Sequence, residues 1–392
     1  GVAQAFSLEV AGGTTTFTQD SFATTLYAGT SATQTITNGL DLSGDGGLVW
    51  IKSRAGNYAQ DHSLIDTARG ATTALMSSTT GGNSAQQYSF GTGGSFNNNG
   101  FTIASTNNQV NTSSADAGPY VAWSFKKKAK FFDIVTYTGT GVARNISHSL
   151  GSVPGMILVK RTNAAASWRV YHRGMDATSP QNYIMGINLN TGPQSSSITW
   201  NDTAPTDTAF TVGTSGNVNG SGNEYIAYIF AHDTASDSRI KCGSYVGNNG
   251  TLAVDVGWEP QWLLVKNADS GSNEHWVIVD SVRGIASGSD VPPLYPNLTN
   301  GEASNIGITA STTGFTLTGG DGAINAGSQT YIYMAIRGNA STDSAITWPT
   351  SIKWPAGVAP TTPVPGKKDL FTFLTTDGGT TYYGKKAAEG IA

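Results

Sequence analysis

The sequence predicts an all-β protein, built as three tandem copies of a β-sandwich or jelly-roll-like domain followed by a small C-terminal β module. Three observations carry that reading. Charged residues make up 12% of the 392, against roughly 25% in an average soluble protein. Thr, Ser, Asn and 49 glycines fill the polar positions instead, a mixture that favours strands and turns over helices. One short apolar strand is also written three times, as YVAWSF from Tyr120, YIAYIF from Tyr225 and YIYMAI from Tyr331, with first residues 105 and 106 positions apart.

Other anchors keep the same order and spacing. Tyr27, Tyr137 and Tyr245 are each followed two residues later by Gly. LVWIK, MILVK and WLLVK then end at Lys52, Lys160 and Lys266, and ARG, HRG and VRG supply Arg69, Arg173 and Arg283. FTI, FTV and FTL start at Phe101, Phe210 and Phe315, and the Tyr-initiated strand closes each unit. A period of ~107 residues is too long for a solenoid repeat and matches a whole domain. The expected division is a lead-in strand over 1–19, sandwich copies over 20–128, 129–236 and 237–340, and a Trp/Pro-rich module or docking arm over 341–392.

Within a copy, segments such as FDIVTYTG and GMILVKR are β-branched and aromatic, bounded by Gly, Asn and Pro, and read as strands. YIAYIF is apolar on both faces, which suits a strand buried between two layers. Asn38-Gly39 and the NNG at Asn248 offer hairpin turns. Stretches such as GTGGSFNNNG and TSGNVNGSGNE read as surface loops. Beyond Ala340, LFTFLTT and TTYYG around Asp377-Gly378 read as one hairpin.

Several function classes lose support at this stage. A net charge of −4 leaves no electrostatic footprint for nucleic acid or an anionic membrane. The basic run at Lys126 to Lys130 directly follows a strand and reads as a solvated linker. The single cysteine, Cys242, rules out an intrachain disulfide framework and a Cys-cluster metal site. It aligns with Thr24 and Ile134, so it reads as packing. No apolar run reaches the ~20 residues of a membrane span. No basic patch followed by an apolar core opens the chain, so no signal peptide is expected. Work outside a cell would then need another exit, such as assembly into a particle released by lysis.

Catalytic motifs are scarce. G-x-S-x-G does not occur, and His62, His148, His172, His232 and His275 show no metal-ligand spacing. DLSGDG at Asp41 opens like a calcium loop, but Lys52 stands at the twelfth position, where a bidentate Glu is needed. GTTYYGKK from Gly379 lacks the final Ser/Thr of a phosphate loop and sits in a hairpin. No acidic pair recurs in all three copies. The recurring Arg reads as forking to a carboxylate or carbonyls beside a turn, with Asp66 and Asp280 three residues before Arg69 and Arg283. Trp168 and Trp276 precede that Arg; they suit either a strand core or a sugar-stacking face, and the core is favoured. No catalytic, cofactor or metal residue is assigned, no cofactor is expected, and the ligand-binding residues are left open.

GLVWIKSRAGNYAQDHSLIDTARGATTAL, followed by GFTI and YVAWSF, resembles a repeat in structural proteins of tailed bacteriophages, especially marine and cyanobacterial ones. VPGMILVKRTNAAASWRVYHRGMDA with YIAYIFAHD is similar to the same repeat, and ITWPTSIKWPAGVAPTTP with TTDGGTTYYG is similar to a C-terminal module of these proteins. The resemblance covers nearly everything after about residue 20 and brings no catalytic residues with it. It implies a virion component on the particle exterior: a tail-fibre or appendage subunit contributing to host attachment, commonly trimeric. Its partners would be other virion proteins and a host-surface glycan, with no nucleic acid and no membrane insertion. A head decoration or spike, a filament-forming subunit and a polysaccharide depolymerase are the competing readings.

Overall fold

The computed structural model describes residues 4–11, 18–55, 60–83, 88–107, 109–114, 118–269, 271–285, 291–302, 306–338, 348, 350–357, 359–360, 368–377 and 380–391. Among the described residues strand accounts for 42% and helix for 5%, so the class is all-β.

In chain order, β1 (Gln4–Ala11) comes first. The first segment then holds β2 (Phe22–Tyr27), β3 (Gln34–Thr37), β4 (Gly47–Ser53), β5 (Ser63–Asp66), β6 (Leu75–Met76), β7 (Ser95–Asn97), β8 (Gly100–Ile103) and β9 (Tyr120–Lys126). The second holds β10 (Phe132–Thr138), β11 (Arg144–Ser147), β12 (Pro154–Arg161), β13 (Arg169–His172), β14 (Tyr183–Ile184), β15 (Gln194–Ser195), β16 (Ala209–Val212) and β17 (Glu224–Ala231). The third holds β18 (Ile240–Val246), β19 (Leu252–Asp255), β20 (Pro260–Asn267), β21 (Val277–Asp280), β22 (Ile308–Ser311), β23 (Gly314–Leu317) and β24 (Thr330–Arg337). Then come β25 (Ile352–Lys353), β26 (Lys368–Thr375) and β27 (Tyr382–Ile391).

Each segment has a main sheet, ordered β2-β9-β4-β5-β6, β10-β17-β12-β13 or β18-β24-β20-β21. Each also has a smaller companion sheet, β3-β8-β7, β11-β16 or β19-β23-β22. The Tyr-initiated strand sits inside every main sheet, and its first Tyr faces a Tyr across the ladder: Tyr27 with Tyr120, Tyr137 with Tyr225, Tyr245 with Tyr331.

Side chains alternate across a strand, and here both faces are buried. On β9, Tyr120 and Ala122 pack with Ile36 and Phe101 of the companion sheet, while Val121, Trp123 and Phe125 point into a second core. On β24, Tyr331, Tyr333 and Ala335 pack with Val254 and Phe315, while Ile332, Met334 and Ile336 join that same second core. The second core is common to all three segments. The Phe125 ring lies 5.5 Å from Phe230 and 5.8 Å from Trp262, so the three sheets meet there.

The sequence spacing suggests three separate domains, but Phe17–Gly338 is one compact unit. The cause is the second apolar face of each main sheet. An aromatic or large aliphatic side chain gains about 1.5–3 kcal/mol from burial, and a lone sandwich would leave Val121, Trp123 and Phe125 in water.

A buried tyrosine–asparagine device closes the outer end of each sandwich. The facing Tyr rings stack at 5.1, 5.3 and 5.1 Å. The hydroxyls of Tyr27, Tyr137 and Tyr245 donate to the carbonyls of Val110, Val218 and Ile324, each at 2.7 Å. The next residues, Asn111, Asn219 and Asn325, are fully buried. Asn219 Nδ2 donates to the Val142 and Gly213 carbonyls at 2.7 Å each, and its Oδ1 accepts from Thr140 N–H at 2.9 Å. Asn111 and Asn325 repeat this pattern. The Gly of each Tyr-x-Gly lies against the backbone beyond this Asn, where a Cβ on Gly29, Gly139 or Gly247 would overlap a carbonyl oxygen. Asn219→Ala leaves the buried Gly213 carbonyl and two part-buried backbone groups without this partner, at about 1–3 kcal/mol for a fully buried group and less for the others. A loss of at least ~2 kcal/mol in denaturant unfolding is expected, whereas a change within error would mean that the device is dispensable.

Several local expectations differ from the structure. Asn38-Gly39 joins β3 to β4, which belong to different sheets, and the Asn248 turn likewise leads from β18 in the main sheet to β19 in the companion sheet. Both are layer crossings, with Gly39 and Asn249 at φ of 83° and 62°. The GTGGSFNNNG stretch, read as a loop, contains the β7–β8 hairpin, with Asn97 paired to Gly100. The lead-in strand expected over 1–19 contains β1. β1 pairs with β26 along its whole length, and Gly1–Thr16 forms a second compact unit with Asn339–Ala392. In that unit β26 and β27 are antiparallel, and Trp348, Trp354, Phe371 and Phe373 cluster, with the two Trp rings 4.8 Å apart. Tyr382–Lys386 of the phosphate-loop-like stretch lie in β27, and Gly378 and Gly379 of the hairpin turn lie outside the described residues. Beside them, Thr381 and Thr380 N–H groups donate to Asp377 and hold its carboxyl at about 2.

Candidate functional site

The three segments meet along three seams, and the recurring polar residues of the sequence lie in them. At the first–second seam, Tyr228 donates to Asp66 Oδ2 at 2.7 Å. Arg69 Nε donates to the same oxygen at 2.7 Å, and its Nη2 reaches Leu64 O and Tyr228 Oη at 3.0 Å each. Burial opposes the Arg69 charge, but Tyr228 and Asp66 outweigh it and hold its pKa above the ordinary value. At the third–first seam, Trp123 Nε1 donates to Asp280 Oδ2 at 3.0 Å, and Arg283 Nε does so at 2.6 Å. The Arg283 guanidinium also lies over the Trp123 ring at 5.6 Å.

At the second–third seam this device is replaced by an uncharged one. The dipeptide match aligned Arg173 with Arg69 and Arg283, but the ladder register does not. Asp66 faces Leu48, Asp280 faces Trp262, and the residue facing the matching Met156 is His172. Three positions on, where the other segments carry Arg, stands Met175. The position of Trp123 and Tyr228 is Met334 in the third segment. His172 Nε2 lies 3.0 Å from Tyr333 O, and burial pushes its pKa down to about 3, so the ring stays neutral. Carboxylate, guanidinium and aromatic donor have been exchanged together, since a buried carboxylate without its Arg would be strongly destabilising.

Two of the three recurring lysines also reach across seams. Lys52 Nζ donates to the Gln60 and Thr299 carbonyls at 2.5 and 2.8 Å, and Lys160 Nζ to those of Thr80 and Ala166 at 3.0 and 2.9 Å. Lys266 donates to Asn267 O at 2.7 Å. Burial lowers their pKa values to about 7, 8 and 8. Trp168 and Trp276 are core residues, 0% and 1% exposed. Their Nε1 atoms cross seams to Met76 O and Gly186 O at 3.0 and 2.9 Å. The matching place at the start of β5 is held by His62, whose Nδ1 accepts from Trp50 at 2.9 Å.

The other residues singled out by sequence are structural as well. Cys242 is buried, its thiol pushed up by burial, and it faces Met334 as Thr24 faces Trp123 and Ile134 faces Tyr228. The basic run is not a bare solvated linker: Lys126, Lys127 and Lys128 pair with Asp45, Asp133 and Asp20. Asp41 accepts from Gly44 and Ser43 N–H in a turn that lowers its pKa.

One cavity stands apart from this framework. A cleft of about 350 Å³ opens at the first–second seam. Arg69 lines it beside Ala68, with Nη1 donating to Asn83 at 3.1 Å. Thr136, Thr138, Thr162 and Glu224 of the second segment line it too, with the neighbouring Tyr137 and Tyr225. The equivalent place at the third–first seam holds an ion pair instead. There Arg54 stands where Thr162 does, since Arg54 N–H donates to Pro119 O as Thr162 N–H donates to Glu224 O. Glu302 stands where Asn83 does, its N–H donating to Arg54 O as that of Asn83 donates to Thr162 O. Arg54 and Glu302 join in a two-point ion pair at 2.7 and 3.0 Å. At the second–third seam, Gly174 sits so near the Gly243 backbone that a Cβ would lie 3.1 Å from its carbonyl oxygen. The cleft thus offers an amide, three hydroxyls, a carboxylate and a guanidinium N–H to a small ligand. Sequence reasoning singled out none of Asn83, Thr136, Thr138, Thr162 and Glu224, because the signal is a difference between segments that emerges only once register is known.

Residues 18–339 match the family described as "Domain of unknown function (DUF7483)". The match runs across all three sandwich segments and coincides closely with the compact unit Phe17–Gly338. No curated protein matches the chain. As the family match covers well over half of the 392 residues, the chain belongs to the DUF7483 family.

Proposed function

We propose that this chain is a non-enzymatic structural protein on the exterior of a tailed-bacteriophage particle, an appendage subunit of tail-fibre type that contributes to host-surface attachment. One observation carries the reading: the recurring ionisable residues are spent inside the body. Asp66, Asp280, Arg283 and the three lysines are buried and tied to neighbours across or beside the seams. What remains outward is largely uncharged polar loop, a surface suited to contact rather than to acid–base chemistry. The motif resemblance to phage structural proteins supplies the setting, with other virion proteins and a host-surface glycan as partners in a homo-oligomer.

The test is retention of the purified full-length chain, displayed multivalently on beads, by cells of the host bacterium. Multivalent display raises weak contacts by a factor of 10² or more. Specific retention on host but not on non-host cells is expected. Equal, background-level retention on both would refute attachment, and turnover of host polysaccharide by the chain would replace this reading with an enzymatic one.

A further inference from the structure

We propose that the cleft at the first–second seam is a binding site for a neutral, hydroxyl-rich sugar unit. The inference rests on the attachment reading and deepens it by naming the site and the class of ligand.

The first argument comes from comparing the segments. Features that the fold requires recur: the stacked tyrosines, the buried Asn, the two-faced central strand. The cleft positions do not recur. Thr136 of the second segment corresponds to Leu26 and Ser244, and Thr138 to Ala28 and Val246. Glu224 corresponds to Pro119 and Thr330, and Thr162 to Arg54 and Ala268. The first segment carries apolar side chains and the Arg54–Glu302 bridge at these positions, and the third carries Val246 and Ala268 at two of them. Only the second segment is polar at all four positions, and they line the cleft. Folding supplies no reason for that coincidence, since the other two seams fold without it.

The second argument is chemical. The lining presents side-chain donors and acceptors within one cavity at the small end of the usual size range for ligand sites. Arg69 is not free to capture an anion, because Asp66 neutralises it at 2.7 Å. Glu224 adds a carboxylate to the wall, which disfavours phosphate or sulfate further. The polar lining disfavours a purely apolar guest, which would leave Thr, Asn and Glu groups desolvated without partners. A ring of adjacent hydroxyls, each both donor and acceptor, satisfies amide, carboxylate and threonine groups together.

The test uses saturation-transfer NMR on the full chain with D-glucose, D-galactose, D-mannose and N-acetyl-D-glucosamine as probes. At least one should receive saturation. The diagnostic variant is Asn83→Glu with Thr162→Arg, which copies into this seam the pair found at the third–first seam. It should fold with an unchanged melting temperature and weaken binding at least about tenfold, the equivalent of losing one or two hydrogen bonds. If that variant does not fold, Thr136→Leu with Thr138→Val makes the same test, using residues the other segments carry at these positions. No saturation of any of the four sugars overturns the proposal, as does equal affinity in a folded variant. Host-cell retention of the same variant keeps the two readings apart. Undiminished retention would overturn the cleft and leave attachment standing through another surface. Absent retention of the unaltered chain would overturn attachment whatever the sugar result.

Discussion

Asp280→Ala is expected to destabilise the body by about 3–5 kcal/mol, the usual consequence of removing one partner from a buried ion pair. Asp280 and Arg283 side chains are both 0% exposed. Without the carboxylate, the guanidinium keeps Ile278 O, Pro292 O, Glu302 and the Trp123 ring, and Trp123 Nε1 loses its acceptor. The chain itself shows how such a loss can be absorbed, because the second–third seam replaces the triad with His172, Met175 and Met334. Asp280→His combined with Arg283→Met and Trp123→Met should therefore lose less than the single Asp280→Ala change. Urea unfolding of the three proteins, the unaltered chain, Asp280→Ala and the triple variant, checks this. A triple variant no more stable than Asp280→Ala would mean that the seam residues do not act as a unit.

Stability should rise with pH from about pH 7 to about pH 10, above the range of ~5–8 where most proteins are most stable. Burial depresses Lys52, Lys160 and Lys266 from 10.5 to about 7, 8 and 8. Between those values and the unfolded pKa, the unfolded chain binds more protons than the folded one, so the unfolding free energy increases as pH rises. One fully buried lysine contributes up to about 1.4 kcal/mol per pH unit across its window. Lower down, burial also depresses His62, His172 and His232, so stability falls further as pH drops through the ordinary histidine range. Above about pH 10 the sign reverses. Tyr27, Tyr137, Tyr228 and Tyr245 are raised by burial, so the unfolded chain loses their protons first. Denaturant midpoints at intervals across this range test the claim. Lys52→Met should flatten the slope between about pH 7 and 10, and a flat or falling curve in the unaltered protein would contradict it.

The legible part of the fold was carried by local pattern. Tyr120–Phe125 announces a strand apolar on both faces, and it lies between two cores. Asp66 and Asp280, three residues before an Arg, announce the fork that the structure contains. What stayed hidden depends on residues far apart in sequence. Lys52 meets Thr299, Arg54 meets Glu302 and Trp168 meets Met76, contacts that have no local signature. The Arg173 alignment failed for a related reason: a shared Arg-Gly dipeptide is weaker evidence than ladder register, which places His172 and Met175 in those roles. The buried Asn was visible as VN, VN and IN ahead of each closing Tyr, but a lone polar residue in a Ser/Gly-rich stretch reads as loop. The cleft was invisible because its residues are ordinary Thr, Asn and Glu, distinguished only by what their counterparts are.

The most direct test of the proposed virion role is immunogold electron microscopy of tailed-phage particles purified from lysates in which this chain is detected, with antibodies raised against residues 18–338. The account predicts gold on external appendages of intact particles. Particles without label, together with absence of the chain from their protein complement by mass spectrometry, would contradict it.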